Sequence, residues 1–319
     1  MGLHFDKKIR FQAQMDLSIH DEFSPLKKVI IGLGSPYQQD KDRAASEMAQ
    51  FPMVPNTAWK DQVLALSYPT EPLLIQEYAS YVAALEKHGV EVLFPDPNAG
   101  YSFDYTCPRD IGFVIGDTFF VANMAVKSRA EEIDTITEHL TQVPPNKIVR
   151  PPAGAIIEGG DVIVLDKRTV LVGINQRTNS DGYEFLKAYF ATSPYQIIPV
   201  YHNQLHLDCC LNPLGLGHML IHPPSLEGNP EETWQKLKQS AWIEVDAIER
   251  EHLATNVLSI NRSTIIARKG KSSARINQTI QALGYSLEEV VFDGVPATGG
   301  SFRCASLVLQ RQIEGDKHE

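Results

Sequence analysis

The chain has 319 residues, of which 43% are hydrophobic and 21% charged, so it can bury a sizeable core as one large domain or two. Its formal net charge of −10 argues against a nucleic-acid partner, and no apolar run approaches the roughly 20 residues that a membrane helix needs. Four cysteines without a C-x-x-C pair are too few for a disulfide scaffold and favour a reducing setting. We therefore expect a cytoplasmic protein without nucleic-acid or membrane partners; assembly into a homo-oligomer stays open.

The predicted elements begin with a strand at Leu26 to Gly32, after a flexible N-terminal tail. Residues 35 to 70 are a loop punctuated by prolines. Caps and apolar periodicity then predict five helices, the second of them opened by a capping box of Ser128 and Glu131. The helices are expected to start near residues 71, 129, 181, 230 and 273.

Short apolar runs surround these helices in a repeating order. One run follows each helix, and a pair of runs joined by a turn precedes four of them. The pairs are 111–115 with 118–122, 162–165 with 169–172, 207–211 with 218–221, and 257–260 with 264–267. A fifth pair would need one strand from each end of the chain, 304–309 beside 27–31. This ββαβ repeat predicts a ring, closed as one α/β domain over residues 1–319 with its core at about 26–310; an ordinary α/β or α+β sandwich is the alternative.

A polar or nucleophilic residue recurs just before the first strand of each pair. At intervals of about 50 residues these positions hold Asp110, Asp161, Asp208, Asn256 and Cys304. In equivalent units of a ring they would converge on one axial pocket. Within it, Cys304 could act as nucleophile, His206 as acid and base, and Glu158 as the group that orients the histidine.

The surplus of carboxylates in this pocket indicates the charge of the substrate. Asp110, Asp161 and Asp208 would disfavour an anion beside a thiolate, and would hold a planar cation by paired hydrogen bonds. A guanidinium has this shape and charge. The sequence therefore predicts a small cationic guanidino substrate, such as arginine.

Four motifs in these places resemble those of the guanidino-group-modifying enzymes of the pentein superfamily, which are arginine deiminases, dimethylarginine dimethylaminohydrolases and amidinotransferases. The resemblance covers Leu26 to about Leu309. The motifs are Cys107-Pro108-Arg109-Asp110, Glu158-Gly159-Gly160-Asp161 with Val172 to Asn179, His206-Leu207-Asp208, and Gly299 to Cys304.

The resemblance implies a five-bladed α/β propeller and a covalent amidino-thioether on Cys304. Cys304 would attack the guanidinium carbon while His206 protonates the departing amine. Asp110 and Asp208 would clamp the guanidinium nitrogens, and Glu158 would hold His206. Three of these motifs look deiminase-like and two look transferase-like, since the motif at Cys107 resembles both classes, and this count favours a hydrolase. Amidino transfer from arginine to an amine is the second hypothesis. A catalytically silent protein that binds arginine-like ligands is the third.

Three further residues are candidates for substrate contact. Arg129 lies where the deiminases place an arginine that binds the substrate carboxylate, and Arg177 is a second candidate; a solvated position in a first helical turn is the alternative for Arg129. Asp161 either touches the substrate or fixes the Gly159-Gly160 turn. Asn256 either joins the pocket or closes a turn.

A metal cluster is the competing interpretation of the segment around His206. Its ligands would be His206, Asp208, Cys209, Cys210, His218 and His222. Alternation along a strand would send Cys209 to the face opposite Asp208, and no paired ligand spacing is present. We therefore expect neither a metal nor another cofactor.

Overall fold

The computed structural model describes residues 14–37, 67–100 and 105–313, together with the isolated positions 62 and 65. These residues form five sheets of three strands each. The first sheet uses both ends of the described chain and consists of Ser306–Arg311 (β15), Leu26–Ile31 (β1) and Glu91–Leu93 (β2). The second sheet consists of Gly112–Ile115 (β3), Thr118–Val121 (β4) and Ile148–Val149 (β5), and the third of Val162–Asp166 (β6), Thr169–Ile174 (β7) and Gln196–Tyr201 (β8). The fourth sheet consists of Leu211–Pro213 (β9), His218–Ile221 (β10) and Ala241–Glu244 (β11), and the fifth of Leu258–Asn261 (β12), Thr264–Arg268 (β13) and Ser286–Val290 (β14).

Every sheet has the same internal pattern, which confirms the ββαβ repeat and the propeller. The first two strands are antiparallel and the third is parallel to the second. The blade built from both ends of the chain pairs Val29 of β1 with Val308 of β15 and with Val92 of β2. Because a parallel pair needs a crossover connection, each blade carries its helical segment between its second and third strands.

The α-helices of the described residues are Glu71–Lys87 (α1), Thr137–Leu140 (α2), Ser180–Tyr189 (α3), Glu231–Leu237 (α4), Ala247–Glu251 (α5), Ala274–Ala282 (α6) and Gly294–Ala297 (α7). The starts of α1, α3, α4 and α6 agree with four of the five predicted starts. The second predicted helix is wrong in form: two 3-10 turns, Lys127–Arg129 and Glu132–Ile136, precede a single turn of α-helix. The two residues of the predicted capping box do not occupy the predicted positions, because Ser128 lies inside the first 3-10 turn and Glu131 directly precedes the second. An ion pair between Arg129 and Glu132 spans the junction of the two turns.

The core extends further toward the N-terminus than the sequence indicated. Residues 14–25 were assigned to a flexible tail, but Met15, Leu17 and Ile19 are buried, and Ile19 pairs with Gly116. Their period of two places all three on one face, as in a strand. The tail prediction otherwise falls on residues 1–13, which lie outside the described part of the chain.

Short turns at the starts of the blades meet near the axis of the ring. Three are 3-10 turns, at Pro108–Ile111, Gly159–Asp161 and Leu207–Cys209. The strand predicted from residue 207 therefore begins only at Leu211. These turns carry the predicted pocket residues. No helix in the described ranges has the length and apolar character needed to span a bilayer.

Candidate active site

The loop that carries Cys304 is held from behind by aromatic packing against α1. Phe302 is fully buried and stacks on Phe292 with ring centroids 4.4 Å apart. The Tyr81 hydroxyl of α1 donates a hydrogen bond of 3.2 Å to the Phe302 carbonyl. Gly300 has to be a glycine, because a Cβ there would lie 2.4 Å from the Cys107 sulfur. The loop thus presents Cys304 from a rigid support.

Cys304 lies in a buried polar environment and exposes 2% of its surface. Its Sγ is 3.2 Å from Asn256 Nδ2 and 3.7 Å from Asp208 Oδ1. Arg303 Nε approaches the other oxygen of Asp208 at 3.6 Å. Burial raises the pKa of Asp208, although the charge of Arg303 opposes the shift. The predicted nucleophile and one predicted guanidinium clamp are therefore in contact.

His206 lies between two carboxylates in the neighbouring part of the site. Its Nε2 is 2.8 Å from Glu158 Oε2 and its Nδ1 is 3.5 Å from Asp110 Oδ1. Gly160 makes room for the ring, since a Cβ there would lie 2.6 Å from His206 Cγ and 2.9 Å from Asp110 Oδ1. The structure therefore brings Glu158, His206 and Asp110 together, as predicted from their motifs.

The charges around His206 favour its protonated form. Burial disfavours the imidazolium, but the negative charge of Asp110 and the hydrogen bond to Glu158 outweigh it and raise the pKa of His206 to about 10. Burial likewise disfavours the Glu158 carboxylate, yet Arg177 and His206 lower the pKa of Glu158 to about 2. At neutral pH this pair is an imidazolium beside a carboxylate, so His206 holds a proton that it can donate.

Both predicted substrate arginines are engaged by carboxylates of the protein. Arg177 Nε donates to Glu158 Oε2 at 2.8 Å. Arg129 donates from Nη1 to Asp110 Oδ2 at 2.7 Å and from Nη2 to Glu132 Oε2 at 2.8 Å. Arg129 is therefore a partly buried member of the site and not a solvated residue. A substrate carboxylate would have to compete with Asp110 and Glu132 for it.

Asp161 is fully buried behind the His206 turn. Its Oδ1 accepts hydrogen bonds from His202 Nε2 at 2.9 Å and from the Leu207 backbone N–H at 2.8 Å. These contacts favour the alternative in which Asp161 fixes a turn of the backbone. The turn that it holds is the one after His206, and not the predicted turn at Gly159-Gly160. Asp161 thereby sets the position of the histidine backbone.

The strand alternation that was used against a metal cluster is wrong. Residues 207–209 form a turn and not a strand, so Cys209 lies with Asp208 and Cys304, their ligand atoms all within 4.8 Å of one another. Asp110, Glu158 and His206 form a second such group. The other two histidines bind elsewhere: His218 Nδ1 is 3.0 Å from Tyr285 Oη, and His222 Nδ1 is 2.7 Å from Ser225 Oγ.

Sequence reasoning missed the buried ion pairs that support the cysteine loop. Glu22, from the segment assigned to a tail, accepts a hydrogen bond of 2.9 Å from Arg303 and lies 3.6 Å from Arg109 Nη2. Burial opposes the charge of Glu22, but the two arginines lower its pKa to about 2. The alternation of Met15, Leu17 and Ile19 was the signal that this segment enters the core. Glu22 thus neutralises the arginine next to the nucleophile.

Comparisons with known proteins identify the family of this chain. The family model described as N,N dimethylarginine dimethylhydrolase, eukaryotic, matches residues 61–310. The chain is 34% identical to YkgA of Bacillus subtilis over 239 residues, which cover 74% of this chain and 79% of that protein.

Solved structures share the fold at low sequence identity. The amidinotransferase SxtG of Microseira wollei superposes with a TM-score of 0.71 at 19% identity, covering 93% of this chain and 98% of that one. Dimethylarginine dimethylaminohydrolase of Pseudomonas aeruginosa, in a complex with citrulline, gives 0.66 at 18% identity, covering 89% and 100%. The chain therefore belongs to the dimethylarginine dimethylhydrolase family within the pentein superfamily, whose enzymes hydrolyse or transfer amidino groups.

Proposed function

We propose that this protein hydrolyses the guanidino group of arginine or of a related small guanidino compound, through a covalent amidino intermediate on Cys304. The observation that carries the proposal is the contact of the buried Cys304 thiol with Asp208, in the same site as a His206 that lies between the carboxylates of Glu158 and Asp110. The charges of His206 and Asp110 both influence the pKa of Asp208. Asp208, His206 and Asp110 are therefore close enough to act on one substrate.

The carboxylates support a cationic substrate. Asp110 Oδ1 is buried and, apart from its ion pair with His206 Nδ1 at 3.5 Å, makes no hydrogen bond to any described residue. A buried acceptor without a hydrogen bond costs about 1–3 kcal/mol. A guanidinium would supply N–H donors to Asp110 and to Asp208, and its charge would offset the burial that raises the pKa of Asp208. Both carboxylates would therefore be stabilised by a bound guanidinium.

The proposed reaction has two steps. The Cys304 thiolate forms a bond to the guanidinium carbon, and the carbon–nitrogen bond to the leaving amine breaks as that amine takes the proton of His206. This leaves an amidino group on sulfur and a neutral imidazole. Water then adds to the same carbon while His206 takes one of its protons. The carbon–sulfur bond breaks to release the thiolate, and the remaining hydroxyl proton passes through solvent to the released amine, which leaves the neutral ureido product.

Amidino transfer is the second candidate. It uses the same intermediate and replaces the attacking water by an amine. The motif from Gly299 to Cys304 resembles that of amidinotransferases, and the fold of SxtG covers 93% of this chain. The hydrolase is preferred because the family model that matches residues 61–310 describes a hydrolase.

Product analysis distinguishes the two reactions. The protein is incubated with arginine, methylarginines or agmatine, each with and without glycine as acceptor, and the products are identified by mass spectrometry. Hydrolysis predicts a ureido product and free ammonia or alkylamine in both mixtures. A new guanidino compound formed only with glycine would show transfer, and ligand binding by calorimetry without any product would indicate a silent binder. Cys304→Ser is the control and should abolish every product.

The thiols also bear on localisation. No disulfide links any of the four cysteines, all of which lie in the described part of the chain. Free thiols persist in reducing compartments. We propose on this basis that the protein works in the cytoplasm.

A further inference from the structure

Asn256 lies in the turn before β12 and is fully buried. Its Nδ2 is 3.2 Å from Cys304 Sγ and 3.2 Å from the Asp208 carbonyl. Its Oδ1 accepts the backbone N–H groups of Arg303 at 3.0 Å and of Cys304 at 3.2 Å. All four contacts join the amide to Cys304 or to residues beside it, which is more than closing a turn requires.

The orientation of this amide follows from its partners. The two backbone N–H groups can only donate, so they require the oxygen of Asn256 on their side. The NH2 group must then point toward Cys304 Sγ and the Asp208 carbonyl, both of which can accept. The cysteine sulfur therefore faces a fixed donor.

A fixed donor matters here because a carboxylate lies close to the sulfur. Asp208 Oδ1 lies 3.7 Å from Sγ, and a carboxylate at this distance repels a thiolate. Hydrogen bonds to ionised acceptors are roughly twice as strong as those between neutral groups, so the Asn256 donor favours the thiolate over the thiol.

We propose that Asn256 supports the nucleophile by donating a hydrogen bond to the Cys304 thiolate while its oxygen holds the Cys304 backbone in place. This role rests on the proposed function, in which Cys304 is the nucleophile. It separates two tasks within one side chain: the oxygen fixes the position of Cys304 and the nitrogen stabilises its reactive form.

The two tasks can be separated by substitution. Asn256→Asp keeps an oxygen for the two backbone N–H groups and replaces the donor by an acceptor facing the sulfur. Asn256→Ala removes both. Asn212→Ala is the matched control: Asn212 is also buried and donates to the carbonyls of Thr255 and Val257, on either side of Asn256. Its Oδ1 lies 3.4 Å from Arg303 Nη1, but its recorded hydrogen bonds do not include Sγ.

The readout is the rate at which iodoacetamide alkylates Cys304 between pH 5 and 10, followed by mass spectrometry of the Cys304 peptide. This rate reports the thiolate fraction and needs no turnover. We expect both Asn256 variants to move the midpoint upward by about one pH unit, a roughly tenfold slower alkylation at neutral pH. Asn212→Ala should leave the midpoint unchanged. Circular dichroism identifies any variant that has lost its fold, and Asn256→Asp is the variant expected to keep it.

An unchanged midpoint in folded Asn256→Asp would overturn the proposal, as would an equal upward shift in Asn212→Ala. The alkylation rate can be measured whether or not the protein turns over a guanidino compound, so the two failures are distinguishable. If the parent protein turns over no guanidino compound and the midpoint still depends on Asn256, the proposed function fails and only the hydrogen bond from Asn256 to the Cys304 thiolate stands. If the parent turns over a guanidino substrate and the midpoint does not depend on Asn256, the proposed role of Asn256 fails and the proposed function stands.

Discussion

Replacing Glu158 by glutamine tests the electrostatic control of His206. Glu158 is fully buried and accepts hydrogen bonds from His206, from Arg177 and from the Ala125 backbone N–H. Glutamine has nearly the same shape but no charge, and one of its two terminal atoms is a donor. The substitution therefore removes the charge that pairs with the imidazolium while leaving Asp110 in place.

The size of the effect can be worked out from these contacts. A hydrogen bond to a charged group contributes about 1.5–3 kcal/mol, and one pKa unit corresponds to about 1.4 kcal/mol. Loss of the Glu158 charge should thus lower the pKa of His206 by about one to two units from its value of about 10. Because that pKa is raised in the folded state, the stabilisation from His206 is complete below pH 6.5 and is lost as the pH rises through about 10. In the variant this loss should occur at lower pH.

The assay is a titration of His206 by NMR in protein with labelled histidine, together with turnover between pH 7 and 11. The alkaline limb of turnover should move down with the NMR midpoint, because deprotonated His206 has no proton for the leaving amine. Glu77→Gln is the control, since Glu77 is 2% exposed but binds the backbone N–H groups at the start of α7. If Glu158→Gln folds and its His206 midpoint does not move, Glu158 does not hold the proton on His206.

Two further predictions concern packing and buried charge. Glu22→Gln removes the carboxylate that lies 2.9 Å from Arg303 Nη1 and leaves Asp208, 3.6 Å from Arg303 Nε, to balance that charge. The substitution should lower the free energy of unfolding by about 3–5 kcal/mol in urea titrations. In the parent, the stabilisation from Glu22 should fall away as the pH drops from 4.5 through about 2, because its pKa is lowered in the folded state. Gly160→Ala places a methyl group against His206 and against Asp110 Oδ1 and should reduce kcat/KM at least tenfold; full activity would contradict the close approach seen at this glycine.

The blade pattern was predictable because each blade repeats the same local signals. Apolar pairs joined by turns marked the first two strands, and helix caps at Thr70 and near Ser180 marked the starts of α1 and α3. The second helix was not predictable in this way, because Arg129 turns toward Asp110, and that ion pair joins residues from two separate segments. Local capping rules contain no information about such tertiary pairs.

The site was predictable in its members and less so in their contacts. Regular spacing identified Asp110, Asp161, Asp208, Asn256 and Cys304, since equivalent positions of a ring share one axis. Spacing does not state which atom faces which. The alternation expected for a strand misplaced Cys209, because the chain forms a 3-10 turn there and turns have no two-residue period.

A covalent amidino intermediate can be tested directly by trapping it on Cys304. The protein is mixed with excess substrate, quenched in acid within the first turnovers, and digested for mass spectrometry. We predict that the peptide containing Cys304 gains the mass of the substrate less its departed amine. This adduct should be absent in Cys304→Ser and should decay when substrate is exhausted. Turnover by Cys304→Ser, or an adduct that forms on another residue while Cys304 stays unmodified, would contradict this mechanism.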